Sequence, residues 1–138
     1  MPDYQASQDT DYAFFNSLFS RYSAASLNSR SAVTSCLSKV HSTGFQSAQI
    51  NAMAPDGKVL FSAYGTWGND GKVSYYSRAY SDMGMAITIS VPAKDARKWI
   101  EGKDAGSAMA AFATGGIAVE PAWAKYILPL AASECFKR

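Results

Sequence analysis

The sequence predicts an α+β fold: a five-stranded, mainly antiparallel sheet covered on one face by helices. Three observations point there. Apolar residues recur at helical spacing up to His41, at strand spacing with tight-turn signals from Phe45 to Val91, and at helical spacing again after Pro92. Runs of helices set apart from runs of strands pack as layers, with one sheet face covered and the other partly wet.

The elements follow in order. Tyr12, Phe15, Leu18, Phe19 and Tyr22 form an aromatic stripe that predicts a helix over Thr10–Ala25, with Asp9 placed to cap it. A small polar break at Ser26–Arg30 precedes a second helix over Ser31–His41, whose face carries Val33, Cys36, Leu37 and Val40 and which Gly44 stops. Four strands are then expected, reading FQSAQINAM, KVLFSAYGTW, KVSYYSRAY and MAITISV. The turns between them are Pro55-Asp56-Gly57, Asn69-Asp70-Gly71 and Ser81-Asp82-Met83-Gly84, and Asp-Gly pairs supply the positive φ of tight hairpins. Sequential strands with short turns predict an antiparallel meander.

Pro92 opens a helix bearing Ala96, Trp99 and Ile100, ended by Gly102. Ser107 is placed to cap a shorter helix through Met109 and Phe112, which Gly115-Gly116 terminates. Residues Gly116–Glu120 read as a fifth strand. Pro121 starts a last helix, where Trp123, Tyr126, Ile127 and Leu130 fall on one face and Pro129 interrupts. A single unit over residues 1–138 is expected: N-terminal helices over 1–43, a four-strand meander over 44–91, and a helix–helix–strand–helix module over 92–136.

Composition narrows the function. Hydrophobic residues make up 48% and charged residues 17%, which places the chain among globular proteins. A net charge of +2 with scattered basic residues gives no footprint for nucleic acid. No apolar run is long enough to span a bilayer, and the acidic, polar start is unlike a signal peptide, so a cytoplasmic location is expected. Cys36 and Cys135 read as free thiols on or beside apolar helix faces, and one histidine, His41, with one nearby cysteine is too few for a metal site. No cofactor is expected. Catalysis is not expected either, since there is no nucleophile elbow, no phosphate loop and no two nearby carboxylates spaced for general acid and base work.

From Asp82 to Leu130 the wording resembles the sterol carrier protein type 2 family. Ile87-Thr88-Ile89-Ser90 matches the family's strand, Trp99-Ile100-Glu101-Gly102 the helix end after it, and Ala111-Phe112-Ala113-Thr114-Gly115 the short helix with its glycine. Ile117-Ala118-Val119 stands at the fifth strand, where the family's lysines and second glycine are missing. The N-terminal half matches in layout alone. The resemblance implies a five-strand sheet with helices over one face, and a tunnel between them that holds a fatty acid, fatty acyl-CoA or sterol-like lipid for transfer.

The residues themselves offer parts for such a cavity: adaptable methionines, aromatic walls and alanine-rich gaps. The expected ligand-binding residues are Met85, Ile87, Trp99, Met109, Phe112, Ile117, Trp123, Tyr126, Ile127 and Leu130, with the last helix as lid. Each also has an ordinary reading as core. The expected partner is an apolar small molecule, with transient membrane contact and no nucleic acid. One alternative is a protein-interaction module, an immunity or accessory subunit, docking through an aromatic sheet face at Tyr76 and Tyr80. Another is an enzyme using His41 with a serine or Cys36. Arg78 is a candidate for a ligand carboxylate or phosphate, or for a surface ion pair.

Overall fold

A computed structural model describes residues 10–78 and 86–124. The N-terminal helices are α1 (Thr10–Phe19), α2 (Ala24–Asn28) and α3 (Ser31–Ser42). Strands β1 (Ser47–Met53), β2 (Val59–Trp67), β3 (Val73–Ser77) and β4 (Ile87–Pro92) follow. Then come α4 (Ala93–Glu101), α5 (Ala105–Thr114) and β5 (Ala118–Glu120).

The five strands form one sheet in the order β3-β2-β1-β4-β5. Three of its pairings are antiparallel, but β1 and β4 run parallel, with Ala48 opposite Ile87 and Ala52 opposite Val91. The expected meander is therefore corrected to a mixed sheet. Hairpin turns join β1 to β2 and β2 to β3, whereas β4 returns past both to the far side of β1. Turn residues report a local reversal and carry no information about which strand a later one will join. The expected turn Ser81–Gly84 lies outside the described residues.

The pairing register sorts the side chains onto two faces, since residues directly opposite share a face. Ala48, Ile50, Ala52, Phe61, Ala63, Ile87, Ile89, Val91 and Val119 fall together. This is the face that the helices cover. Near α1 and α4 it packs Phe15, Leu60, Phe61, Ala93 and Ala96, with Tyr12, Phe14, Phe19 and Trp99 at the margin. The Phe61 ring lies 5.4 Å from Phe19 and 6.2 Å from Phe15, both stacked. Burying an aromatic side chain of this kind contributes about 1.5–3 kcal/mol. Ala93 and Ala96, almost wholly buried, let α4 approach the sheet closely.

Toward α3 and β5 the same face packs a second cluster, made of Val40, Phe45, Trp67, Ile87, Val119 and Ala124. The opposite face is polar. Asn51 Oδ1 there accepts from Gln49 Nε2 at 2.8 Å and from Ser62 Oγ at 2.7 Å, which satisfies groups that are almost fully buried.

Several local expectations are corrected. The first helix stops at Phe19 instead of reaching Ala25. Ser23 and Ser26 form a reciprocal capping box that starts α2, with Ser26 N donating to Ser23 Oγ at 3.1 Å and Ser23 N to Ser26 Oγ at 2.7 Å. What reads as a polar break is thus a helix start. Asp104, rather than Ser107, caps α5: its carboxylate accepts from Ser107 N at 3.0 Å and Ser107 Oγ at 2.6 Å. Strand β5 begins at Ala118, two residues later than expected. Gly115 ends α5 at φ +87 as predicted. The Asp9 cap lies outside the described residues, as does the last helix beyond Ala124.

Cys36 is disulfide-bonded and not the expected free thiol. The chain's other cysteine, Cys135, lies outside the described residues. Disulfides persist in oxidising compartments, so the thiols no longer support the cytoplasmic expectation.

Candidate ligand-binding site

The expected site residues divide by position. Ile87, at 1% exposure, belongs to the second cluster with Val40, Phe45 and Trp67. Strand β4 puts it there because its alternation aims Ile87, Ile89 and Val91 at the helices. Phe112 of α5 packs against the same cluster from its edge. Ile117, half-buried, precedes β5, and its amide donates to Ala111 O at 3.2 Å, which closes the turn after α5.

Two members are exposed: Met109 at 45% and Trp123 at 53%. The Trp123 ring lies over Phe45 at 5.1 Å between centroids, so it extends the second cluster outward. Helix α5 reads AGSAMAAFAT and buries none of its residues, although nearly all are apolar or small. An amphipathic surface helix would turn such residues inward. Apolar side chains thus stand at the border of the second cluster, Phe112 packed on it, Trp123 joined to it through Phe45, and Met109 exposed one turn before Phe112 on α5.

Trp99 is set apart. It lies at the margin of the first cluster, on α4, beside the residues packed under α1. Helix α4 has an apolar face toward the sheet and a charged one outward, so Trp99 follows its own helix and not the α5 group. Met85, Tyr126, Ile127 and Leu130 lie outside the described residues.

Within the second cluster one polar atom stands out. Trp67 Nε1 is buried and has no hydrogen-bond partner among the described residues. A buried donor without an acceptor costs about 1–3 kcal/mol. It is the polar handle of an otherwise apolar interior, and sequence reasoning missed it because an indole's partners depend on the whole surround.

Clefts among the described residues include three of about 570, 480 and 460 Å³, none lined by a residue expected to bind lipid. The largest lies between the α1–α2 corner and the edge strand β3, lined by Asn16, Tyr22, Ser23, Ala24, Tyr76, Ser77 and Arg78. Tyr76 corrects an expectation: it belongs beneath the helices, where its hydroxyl donates to Phe19 O at 2.7 Å. Burial raises its pKa, only partly offset by the Arg78 charge. Tyr75, half-exposed, is the aromatic residue of β3 on the other face, tilted against Tyr64 at 5.8 Å. Tyr80 lies outside the described residues. Arg78 makes no ion pair among the described residues; its Nη1 donates to Asn16 Oδ1 at 2.8 Å.

Among the described residues, no three histidine, cysteine or acidic side chains gather as a metal site, and no helix is long and apolar enough to cross a membrane. Fold and site together define an α+β protein with one helix-covered sheet face and, among the described residues, exposed apolar side chains at Met109 and Trp123. No family model matches the chain, and no curated protein does. Among solved structures it is similar to Sterol Carrier Protein 2 from Yarrowia lipolytica in its apo form. The identity is 19% and the TM-score 0.42, over 76% of this chain and 82% of that one. No residue role is carried over from that likeness.

Proposed function

We propose that this protein binds and carries an apolar lipid (a fatty acyl compound or a sterol-like molecule) without chemistry of its own. The observation that carries this reading is the group of apolar side chains at the border of the second cluster, Phe112 packed on it, Trp123 joined to it through Phe45, and Met109 exposed. Apolar side chains left at a surface in one group mark a place where apolar matter docks. The wording of residues 82–130, similar to the sterol carrier protein type 2 family, supports the same class of ligand. In this reading the lipid tail lies between the sheet and the helices near Ile87 and Ile117, with Tyr126, Ile127 and Leu130 among its proposed contacts. Each buried methylene would contribute about 0.8 kcal/mol, so a long chain binds without a hydrogen bond.

Native mass spectrometry of the purified protein, with organic extraction, tests this directly. The expected result is a co-purifying lipid that added fatty acid displaces. The substitutions Ala111→Trp and Ile117→Trp are expected to block uptake while leaving the circular dichroism spectrum unchanged. A bare protein mass that ignores fatty acids, acyl-CoA and sterols would overturn the reading.

A further inference from the structure

The cleft between the α1–α2 corner and β3 has a chemistry of its own. Its lining includes one full charge, Arg78, and no carboxylate. The other polar lining groups are the amide of Asn16 and the hydroxyls of Tyr22, Ser23, Tyr76 and Ser77. Among the described residues, Arg78 is held in place rather than neutralised. Its Nη1 donates to Asn16 Oδ1 at 2.8 Å and, more weakly, to Asn16 O at 3.4 Å. Both acceptors are uncharged.

Those bonds use one nitrogen of the guanidinium and leave Nε and Nη2 without partners among the described residues. The Nε–Nη2 edge is the fork that grips two oxygens of a carboxylate or phosphate at once. In the same lining, the Tyr22 hydroxyl has no hydrogen-bond partner among the described residues, and the Tyr22 ring carries the Arg30 guanidinium 5.1 Å from its centroid. A second cation, Arg30, therefore lies against one of the residues that line the cleft. Arg97 shows what a structural arginine looks like in this protein: it bonds two carboxylates, those of Asp11 and Glu101. Arg78 has none.

We propose that this cleft is an oxyanion site, in which a carboxylate or phosphate group docks on the Nε–Nη2 edge of Arg78 with the Tyr22 hydroxyl beside it. The volume of about 570 Å³ accommodates more than the anion itself, so the group is the head of a larger molecule or a free ion. The site stands independently of the lipid-carrier reading, because Met109, Phe112 and Trp123 do not line the cleft.

The test is a ¹H–¹⁵N NMR titration of the full chain, with inorganic phosphate in one arm and octanoate in the other. Saturable shifts centred on Asn16, Tyr22, Ser23, Ser77 and Arg78 are expected in at least one arm. Phosphate alone would assign a phosphate ligand, octanoate alone a carboxylate amphiphile, and both the shared oxyanion chemistry. Arg78→Gln is expected to weaken that binding about tenfold or more, the loss of a charge-assisted pair. Tyr22→Phe keeps the ring under Arg30 and is expected to weaken it by a few-fold. Should Arg78→Gln lose its dispersed spectrum, Tyr22→Phe decides alone, and unchanged affinity in it then overturns the proposal. Shifts that fail to saturate in both arms, or equal affinity in a folded Arg78→Gln, also overturn it.

Discussion

The side chain of Asn28 completes the outer edge of the sheet by pairing with the backbone of Val73. Its Nδ2 donates to Val73 O at 2.9 Å, and its Oδ1 accepts from Val73 N at 2.6 Å. An amide side chain presents the same donor and acceptor as a peptide group, so Asn28 stands in for a neighbouring strand at the first residue of β3. This one residue of α2 ties the short capped helix to an edge that would otherwise offer its polar groups to another chain.

Asn28→Ala is accordingly expected to destabilise the fold by about 1–3 kcal/mol, since it leaves both Val73 groups without partners in a half-buried place. Urea unfolding measures the loss. Hydrogen exchange at the Val73 amide should quicken at the same time. An unchanged midpoint with an unchanged exchange rate would mean that water replaces the clamp at no cost.

Gly71 and Gly57 both sit in Asp-Gly turns at positive φ, +78 and +87. Their surroundings differ. A Cβ on Gly71 would lie 1.8 Å from Thr34 O and 2.8 Å from Ser38 N, inside the backbone of α3, whereas one on Gly57 meets nothing within 4 Å. Gly57→Ala is therefore expected to cost about 1 kcal/mol, the strain of the left-handed conformation alone. Gly71→Ala must in addition push α3 from the hairpin, and a loss above about 3 kcal/mol is expected. Thermal unfolding of the two variants side by side separates turn strain from helix contact; equal losses would sink the distinction.

Trp67→Phe removes the unpartnered indole N–H while keeping an aromatic ring in the second cluster. The relief of a buried donor, worth about 1–3 kcal/mol, works against the lost packing volume. The expected net cost is below about 1.5 kcal/mol, against about 3–5 kcal/mol for Trp67→Ala. Denaturant midpoints decide this. A Phe variant as unstable as the Ala variant would mean that the N–H has a partner after all, such as an ordered water.

Asp104 gives the start of α5 a pH dependence. Hydrogen bonds from the Ser107 hydroxyl and amide lower its pKa from the ordinary value of 3.8. The charged cap is favoured in the folded state, so its stabilisation is complete above that value and is lost as pH falls through the lowered pKa. Asp104→Ala is expected to lower the melting temperature at neutral pH, and the gap from the parent protein should close under strong acid. A gap that stays constant with pH would show that the carboxylate's charge plays no part. Asp104→Ser, which keeps a capping oxygen, is expected to retain part of the effect without the pH dependence.

Local pattern in the sequence set the kind and order of the described elements, α2 excepted. Period-two alternation in Ile87–Val91, the aromatic stripe from Tyr12 to Phe19, and glycines at Gly44, Gly57, Gly71 and Gly115 each act over a few residues, and each holds in the structure. The α+β class follows from them. Of the expected site, Ile87 and Phe112 were legible as members of one apolar surface because they keep their place in the period of their own elements.

Tertiary structure decided everything that depends on residues distant in the chain. It set β4 parallel to β1, because strand order is chosen by which faces can be buried together and not by turns. It sent Trp99 to the first cluster and left Met109 and Trp123 exposed, although all three look alike as apolar residues on or near helices. It bonded Cys36 where composition suggested a free thiol, and it held Arg78 with Asn16, 62 positions away. Local pattern carries the conformational preference of a segment, while partnership is a property of two segments brought together. Only the packed sheet and its helices fix which segments meet.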